Sequence, residues 1–165
     1  MILQDLVRFR KFNLCRGSAN KADVVTNSGI ALGNFSQWLY LLVGEATLKH
    51  EGGLMQITAG MNDLTQFLGQ SLQYTVASES ASWVAFNPAI RNTELAVVVT
   101  QDPKIVLTDK ENDIYVVPIE GQVFANNKTI PELGCGLLSK GKPAEILVPE
   151  GSICALVSVI PVKPN

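Results

Sequence analysis

Turn-forming residues recur every few positions along the chain, and this feature constrains the fold most. Gly, Pro, Asn and Asp cluster in segments such as TNSG, HEGG, TQDP, ANNK and PEGS. Short runs rich in Val, Ile, Leu, Thr and aromatic residues lie between them. Short strands separated by turns in this way are typical of a β-sandwich or β-barrel. The pattern therefore predicts an all-β fold.

One segment, NDLTQFLGQ, has some helical character. Asn62 or Asp63 could cap a helix there, and Leu64, Phe67 and Leu68 would form its apolar face. The sequence leaves two alternatives open for this segment, a single helical turn or a further strand.

The two halves of the chain resemble each other. WLYLLVGEATLKHEGGLMQITAGM and IYVVPIEGQVFANNKTIPELGCGL both contain an apolar strand that ends in a glycine, and the repeat pairs Gly44 with Gly121. The ends of the halves, VASESASWVAFNP and VPEGSICALVSVIP, are also similar. Chance similarity among β-rich segments is the alternative. The predicted organisation is one domain, 1–165, with two similar halves, 24–100 and 101–162.

The segments YLLVG, YTVASESASWVAFNP and AEILVPEGSICALVSV resemble the strand motifs of the cupin superfamily. The first is similar to the YVLEG-type strand of that family, and the other two look like its second motif. The resemblance covers residues 30–160. It implies a cupin-like jelly-roll barrel or sandwich of the RmlC type.

The resemblance also shows which metal ligands are missing. Metal-binding cupins place two histidines and a glutamate just before the YVLEG-like strand, and these positions fall near Ala31, Gly33 and Gln37. The histidine of the second motif would fall near residues 74–76, where there is none. An amide is a poor substitute for a carboxylate on a transition metal. We therefore expect no metal site and no cofactor.

Candidate ligand-binding residues are few. Trp38, Tyr40 and Trp83 could line a barrel cavity and stack on a sugar or a base, and Gln37 occupies a ligand position of the family pattern. Aromatic residues at strand spacing are also typical of a plain apolar core. The sequence leaves both interpretations open.

No residue is predicted to be catalytic. The only histidine, His50, lies in a hairpin turn, where a solvated side chain is expected. Glu45, Glu94, Glu120 and Glu145 lie beside turns or on alternating strand faces, as solvated carboxylates do. The sequence therefore favours a protein that is not an enzyme, without excluding chemistry by carboxylates.

The charge content favours a covered surface. Apolar residues make up 47% of the chain and charged residues only 17%, against about 25% in soluble domains. The net charge of −2 favours neither nucleic acid nor membrane as a partner. We interpret the basic residues Arg8, Arg10, Lys11 and Arg16 as charges that prevent another strand from pairing with an edge strand. The uncharged run ICALVSVIP is expected to be central in a sheet or covered by a partner.

Three cysteines, Cys15, Cys135 and Cys154, show no CxxC spacing and predict neither a disulfide nor a zinc site. Arg16 next to Cys15 would lower the pKa of that thiol, but no acid–base partner is visible in the sequence, and a packing role is expected for Cys15. The segment MILQDLVRFRKF is expected to be neither a signal peptide nor a membrane span. A cytosolic protein is expected, and a virion location is compatible with it.

Three classes of function follow. The first is a non-enzymatic structural or interaction domain that assembles with itself or with a larger body, for example a capsid decoration or tail protein of a virion. The second is a metal-free cupin that binds a small polar molecule such as a sugar or nucleotide. The third is a carboxylate-dependent isomerase or hydrolase.

Overall fold

The computed structural model of the protein describes residues 2–28, 36–50, 53–59, 65–68, 71–108 and 111–162. Within these ranges all helix or strand structure is β-strand, which confirms the predicted all-β fold. Thr65–Leu68, in the segment that the sequence left open, is a strand. The strands are β1 (Leu3–Arg8), β2 (Phe12–Asn20), β3 (Val24–Ser28), β4 (Ser36–Val43), β5 (Glu45–His50), β6 (Gly53–Thr58), β7 (Thr65–Leu68), β8 (Ser71–Val76), β9 (Ser80–Pro88), β10 (Thr93–Thr100), β11 (Lys104–Leu107), β12 (Ile114–Glu120), β13 (Val123–Ala125), β14 (Lys128–Ile130), β15 (Gly136–Leu138), β16 (Ala144–Leu147) and β17 (Ile153–Pro161).

The chain divides into two compact units, Met1–Thr93 and Glu94–Asn165. The first unit contains a five-stranded sheet of order β1-β2-β9-β4-β7 and a four-stranded sheet of order β3-β8-β5-β6. The second unit contains two four-stranded sheets, of order β10-β17-β12-β15 and β11-β16-β13-β14.

Apart from β1, the two units have the same strand order. Strand β9 lies between β2 and β4 just as β17 lies between β10 and β12, and β8 lies beside β5 just as β16 lies beside β13. In the described part of the second unit, β1 has no counterpart. The boundary between the two units falls between Thr93 and Glu94. The predicted organisation, one domain of residues 1–165 with halves 24–100 and 101–162, stays a prediction.

The two glycines that the repeat pairs occupy the same place in the two units. Gly44 follows β4 with φ +91°, and Gly121 follows β12 with φ +69°. In both units the register with the neighbouring strand, β9 or β17, shifts just before the glycine. A positive φ favours glycine because a Cβ atom would clash with the backbone there.

A serine packs against each of these glycines. A Cβ atom on Gly44 would lie 2.6 Å from Ser78 Oγ, and one on Gly121 would collide with Ser152 Oγ. Ser78 Oγ accepts a hydrogen bond of 2.8 Å from the Glu45 N–H. Ser152 Oγ donates one of 3.0 Å to the carbonyl of Gln122. The same turn is therefore held by a serine hydroxyl in both units.

Each unit has an apolar core to which both of its sheets contribute. In the first unit the core includes Trp83 and Ala85 of β9, Leu39 and Leu41 of β4, and Val76 of β8. In the second unit the uncharged strand β17 lies between β10 and β12, which places it in the middle of a sheet. The core residues there are Val116, Val123, Ala125, Ile130, Leu138, Ala144, Ile146, Val148 and Cys154.

Candidate functional site: a buried indole ring and an open sheet edge

The interior of the first unit contains a fully buried indole ring. Trp83 is completely buried in the core that Leu39 and Leu41 also line. Its ring lies against β2, because a Cβ atom on Gly17 would be 2.7 Å from Trp83 Cε2. A side chain in this position packs the core of the first unit.

The sheet separates the predicted aromatic ligand-binding residues. Trp83 pairs with Leu41, whereas Tyr40 pairs with Val84 on the same two strands. Side chains alternate between the faces of a strand, so Trp83 lies on one face and Tyr40, with Trp38 two residues earlier, on the other. Tyr40 is buried and Trp38 is half-buried. The three rings therefore do not line one cavity.

Gln37 lies near the start of β4, where its backbone pairs with Phe67 of β7. Its side chain is outside the described residues. The following residue, Trp38, pairs with Phe86, so the backbone of Gln37 lies level with Asn87 of β9. Ligand binding by Gln37, Trp38, Tyr40 and Trp83 stays a prediction.

Two buried asparagines form a polar pair that the sequence analysis missed. Asn13 and Asn87 lie directly opposite each other on β2 and β9, on the same face as Trp83. Their exposed fractions are 3% and 5%. Asn87 Oδ1 has no hydrogen-bond partner among the described residues. The sequence signal was an asparagine inside each of the apolar strands FNLC and WVAFNP.

The predicted metal positions Ala31 and Gly33, like the side chain of His50, lie outside the described residues. Within the described ranges, no three His, Cys, Asp or Glu side chains form a group that could hold a metal ion. Of the four carboxylates considered from the sequence, Glu94 and Glu145 are exposed, and Glu45 and Glu120 are half-buried. The absence of a metal cofactor stays a prediction.

Cys15 is buried in the core of the first unit, in line with its expected packing role, and Arg16 does not lower the pKa of its thiol. Burial raises the pKa of the Cys15 thiol, and the negative charge of Asp5 raises it further. Neighbouring residues of a strand point to opposite faces, so Arg16 does not share the face of Cys15. Burial likewise raises the pKa of Cys154 to about 12. Both thiols are therefore protonated at neutral pH and are poor nucleophiles.

The outermost strand of the five-stranded sheet, β1, is exposed on both faces. Leu3 and Leu6, which point to opposite faces, are 59% and 52% exposed. Every residue of β1 is exposed except Val7, which is half-buried. An edge strand of this kind presents unpaired N–H and C=O groups to any strand that approaches.

The basic residues expected to guard this edge lie mostly outside it. Arg8 is the last residue of β1, Arg10 and Lys11 lie in the turn before β2, and Arg16 lies in β2 opposite Asp5. The strand itself carries one acidic and one basic side chain, Asp5 and Arg8. Fewer charged side chains than the sequence predicted therefore protect this edge against pairing with another strand.

The second unit has a small surface pocket of about 210 Å³ beside the β13–β14 hairpin. Lys104 Nζ lies 3.5 Å from Glu145 Oε2, and the Glu145 N–H donates to Asn126 Oδ1 at 2.9 Å. The pocket is smaller than the roughly 300 Å³ at which ligand sites begin. Its lining residues are Phe124, Asn126, Asn127, Glu145 and Leu147.

Solved structures of very different sequence have the same fold. YhaK from Escherichia coli is similar at a TM-score of 0.68, with 11% identity over 97% of this chain and 94% of that chain. A cupin 2 conserved barrel domain protein from Leptotrichia buccalis is similar at 0.54, with 11% identity over 98% and 89%. Oxalate decarboxylase from Bacillus subtilis, a protein with Mn(II) centres, is similar at 0.60, with 7% identity over 94% and 70%.

These similarities confirm the predicted fold class, a cupin-like jelly roll. Identities this low show the fold alone, and proteins that share a fold differ widely in function. No protein-family model matches the sequence, and no curated protein matches it. Among the described residues, no helix is long and apolar enough to cross a membrane.

Proposed function

We propose that this protein is a non-enzymatic interaction domain that assembles with copies of itself or with a larger body. The observation that carries the proposal is strand β1, whose backbone edge and leucine side chains are open to a partner. The packing of the fully buried Trp83 against Gly17 supports a structural role for this part of the interior.

The proposal includes the kind of partner. The net charge of −2 argues against nucleic acid and against an acidic membrane surface. A low content of charged residues, 17%, is what a surface covered by protein would need. The protein is proposed to act in the cytosol without a cofactor. A capsid decoration or tail protein of a virion is the specific form of this role that we propose.

The oligomeric mass tests the proposal. We expect light scattering to give a mass above that of the monomer at high concentration and a fall towards it on tenfold dilution. For the virion form, we expect the protein to co-sediment with assembled particles of its source. A constant monomer mass, together with absence from any larger assembly, would contradict the proposal.

A second candidate function is the binding of a small polar molecule, and Asn87 favours it. A buried acceptor without a partner costs about 1–3 kcal/mol, unless a ligand supplies an N–H or O–H group. Calorimetric titration with sugars and nucleotides tests this candidate. We expect Asn87→Leu to abolish any binding and Leu54→Lys, at an exposed position outside the core, to leave it unchanged. Nothing among the described residues favours a carboxylate-dependent isomerase.

A further inference from the structure

We infer that two copies of the chain pair through β1 in an antiparallel, two-fold symmetric arrangement with Leu6 on the symmetry axis. This inference rests on the proposed assembly function and names its partner, surface and register. It would join the five-stranded sheets of two copies into one continuous sheet.

The hydrogen bonds between β1 and β2 determine which backbone groups face the open edge. The Phe9 N–H donates to the Phe12 carbonyl at 2.9 Å, so this pair is a hydrogen-bonded pair of the hairpin. In an antiparallel ladder such pairs alternate with non-hydrogen-bonded pairs. Following the register from this turn, Val7 and Asp5 bond to β2, whereas Arg8, Leu6 and Gln4 direct their N–H and C=O groups outward.

This alternation restricts the registers that a second copy can adopt. In a symmetric antiparallel pair, the hydrogen-bonded residues must come from Gln4, Leu6 and Arg8 of both copies. Placing Leu6 opposite Leu6 satisfies this condition and also places Gln4 opposite Arg8, once on each side of the axis. A shift that centres Asp5 on the axis would instead set two carboxylates directly opposite each other, which is destabilising.

The side chains of β1 suit the register centred on Leu6. The two exposed Leu6 side chains would cover each other at the axis. The amide of Gln4 can accept a hydrogen bond from the Arg8 guanidinium of the other copy. The two Arg8 side chains would lie about 13 Å apart along the strand, beyond the Debye length of about 8 Å at physiological salt, so their repulsion is screened. Asp5 keeps Arg16 opposite it within its own chain.

Strand β1 is also the strand that distinguishes the two units. The sheet order β2-β9-β4-β7 recurs in the second unit as β10-β17-β12-β15, and only the first is extended by a further strand in the described chain. The core of the first unit includes no residue of β1. An edge strand with open backbone groups and little share in the core suits pairing with a second copy.

Leu6→Pro tests the pairing with little effect on the monomer. Proline removes the outward N–H of residue 6, while the bonds of Asp5 and Val7 to β2 remain. Leu6→Lys places two like charges on the axis. Leu54→Lys on β6 and Val98→Lys on β10 are matched controls, because both residues are exposed on other edge strands. Circular dichroism and urea unfolding establish that each variant is folded.

Sedimentation velocity over a tenfold concentration range gives the result. We expect a monomer–dimer equilibrium for the wild type, Leu54→Lys and Val98→Lys, and monomers for both Leu6 variants. Dimers of the Leu6 variants, or a wild type that is monomeric at every concentration, would overturn the pairing. If the wild type dimerises and only Val98→Lys dissociates it, the pairing through β1 is wrong while the proposed assembly function stands.

Cysteine cross-linking tests the register without relying on a proline variant. Gln4→Cys and Arg8→Cys are each made in a Cys135→Ser background, since Cys135 is an exposed thiol. Opposite residues of a hydrogen-bonded pair are about 5.5 Å apart at Cα, within disulfide reach. We expect a disulfide-linked dimer when the two variants are mixed and oxidised, and none from either variant alone. Equal cross-linking of Gln4→Cys with itself would overturn the register.

Discussion

The indole ring of Trp83 occupies the space that a Cβ atom on Gly17 would need. The two residues lie directly opposite each other on β9 and β2, and Trp83 Cε2 would be 2.7 Å from that Cβ atom. The carbonyl oxygen of Leu3, a residue of β1, would lie 2.9 Å from the same Cβ atom on Gly17. The absence of a side chain at Gly17 therefore leaves room for Trp83, the largest of the fully buried side chains, to pack against β2.

Gly17→Ala should destabilise the protein by about 1–3 kcal/mol, because overpacking displaces the ring or the strand. Urea unfolding measures the change in the free energy of unfolding. Ser139→Ala is the control, since Ser139 is exposed and the substitution is expected to change stability little. A Gly17→Ala variant as stable as the wild type would contradict this packing.

Trp83→Phe should partly relieve the effect of Gly17→Ala. The smaller ring leaves room for a methyl group, so the two substitutions should be non-additive by about 0.5–3 kcal/mol. A double-mutant cycle from urea unfolding measures this coupling energy. Additive effects would show that the two side chains do not compete for the same space.

Ser78→Ala should destabilise the first unit by about 1 kcal/mol. The substitution removes the acceptor for the Glu45 N–H, which lies 2.8 Å from Ser78 Oγ. Ser152→Ala should have a similar effect in the second unit, because Ser152 bonds to the residue after Gly121. Urea unfolding of both variants tests whether the two turns are energetically equivalent, with exposed Ser139→Ala as the control expected to change little.

The stability of the protein should fall above about pH 9, and Cys154 should contribute to the fall. Burial raises the pKa of Cys154 to about 12, so the unfolded chain loses this proton at lower pH than the folded chain. The contribution is complete below the unfolded pKa and is lost as the pH rises towards the folded pKa, by at most about 1.4 kcal/mol per pH unit. Unfolding free energies of wild type and Cys154→Ala at pH 8–10 measure it. Parallel curves would contradict the prediction.

Purified, untagged protein should contain no stoichiometric transition metal. The ligand positions of the cupin pattern hold Ala31, Gly33 and Gln37, and two of these side chains cannot coordinate. Elemental analysis after dialysis measures the metal content. His50→Ala should leave assembly unchanged, and a bound metal that this substitution removes would reopen the case for an enzyme.

Much of the fold could be predicted from local sequence. Short apolar runs between turns determined the strands, because a chain interrupted so often cannot form long helices. The apolar run of β17 indicated a central or a covered strand, and the structure places it between β10 and β12. Gly44 and Gly121 were recognisable as equivalent because both follow similar apolar strands.

The sequence by itself determined that Trp38 and Tyr40 share a face, since side chains two residues apart on a strand point the same way. It did not determine that Trp83 lies on the other face, that Cys15 shares the face of Trp83 and is buried, or that Asn13 meets Asn87. These relationships depend on the register between strands that are distant in the chain. Only the tertiary structure decided them, because a shift of one residue in a pairing exchanges every side chain between the two faces.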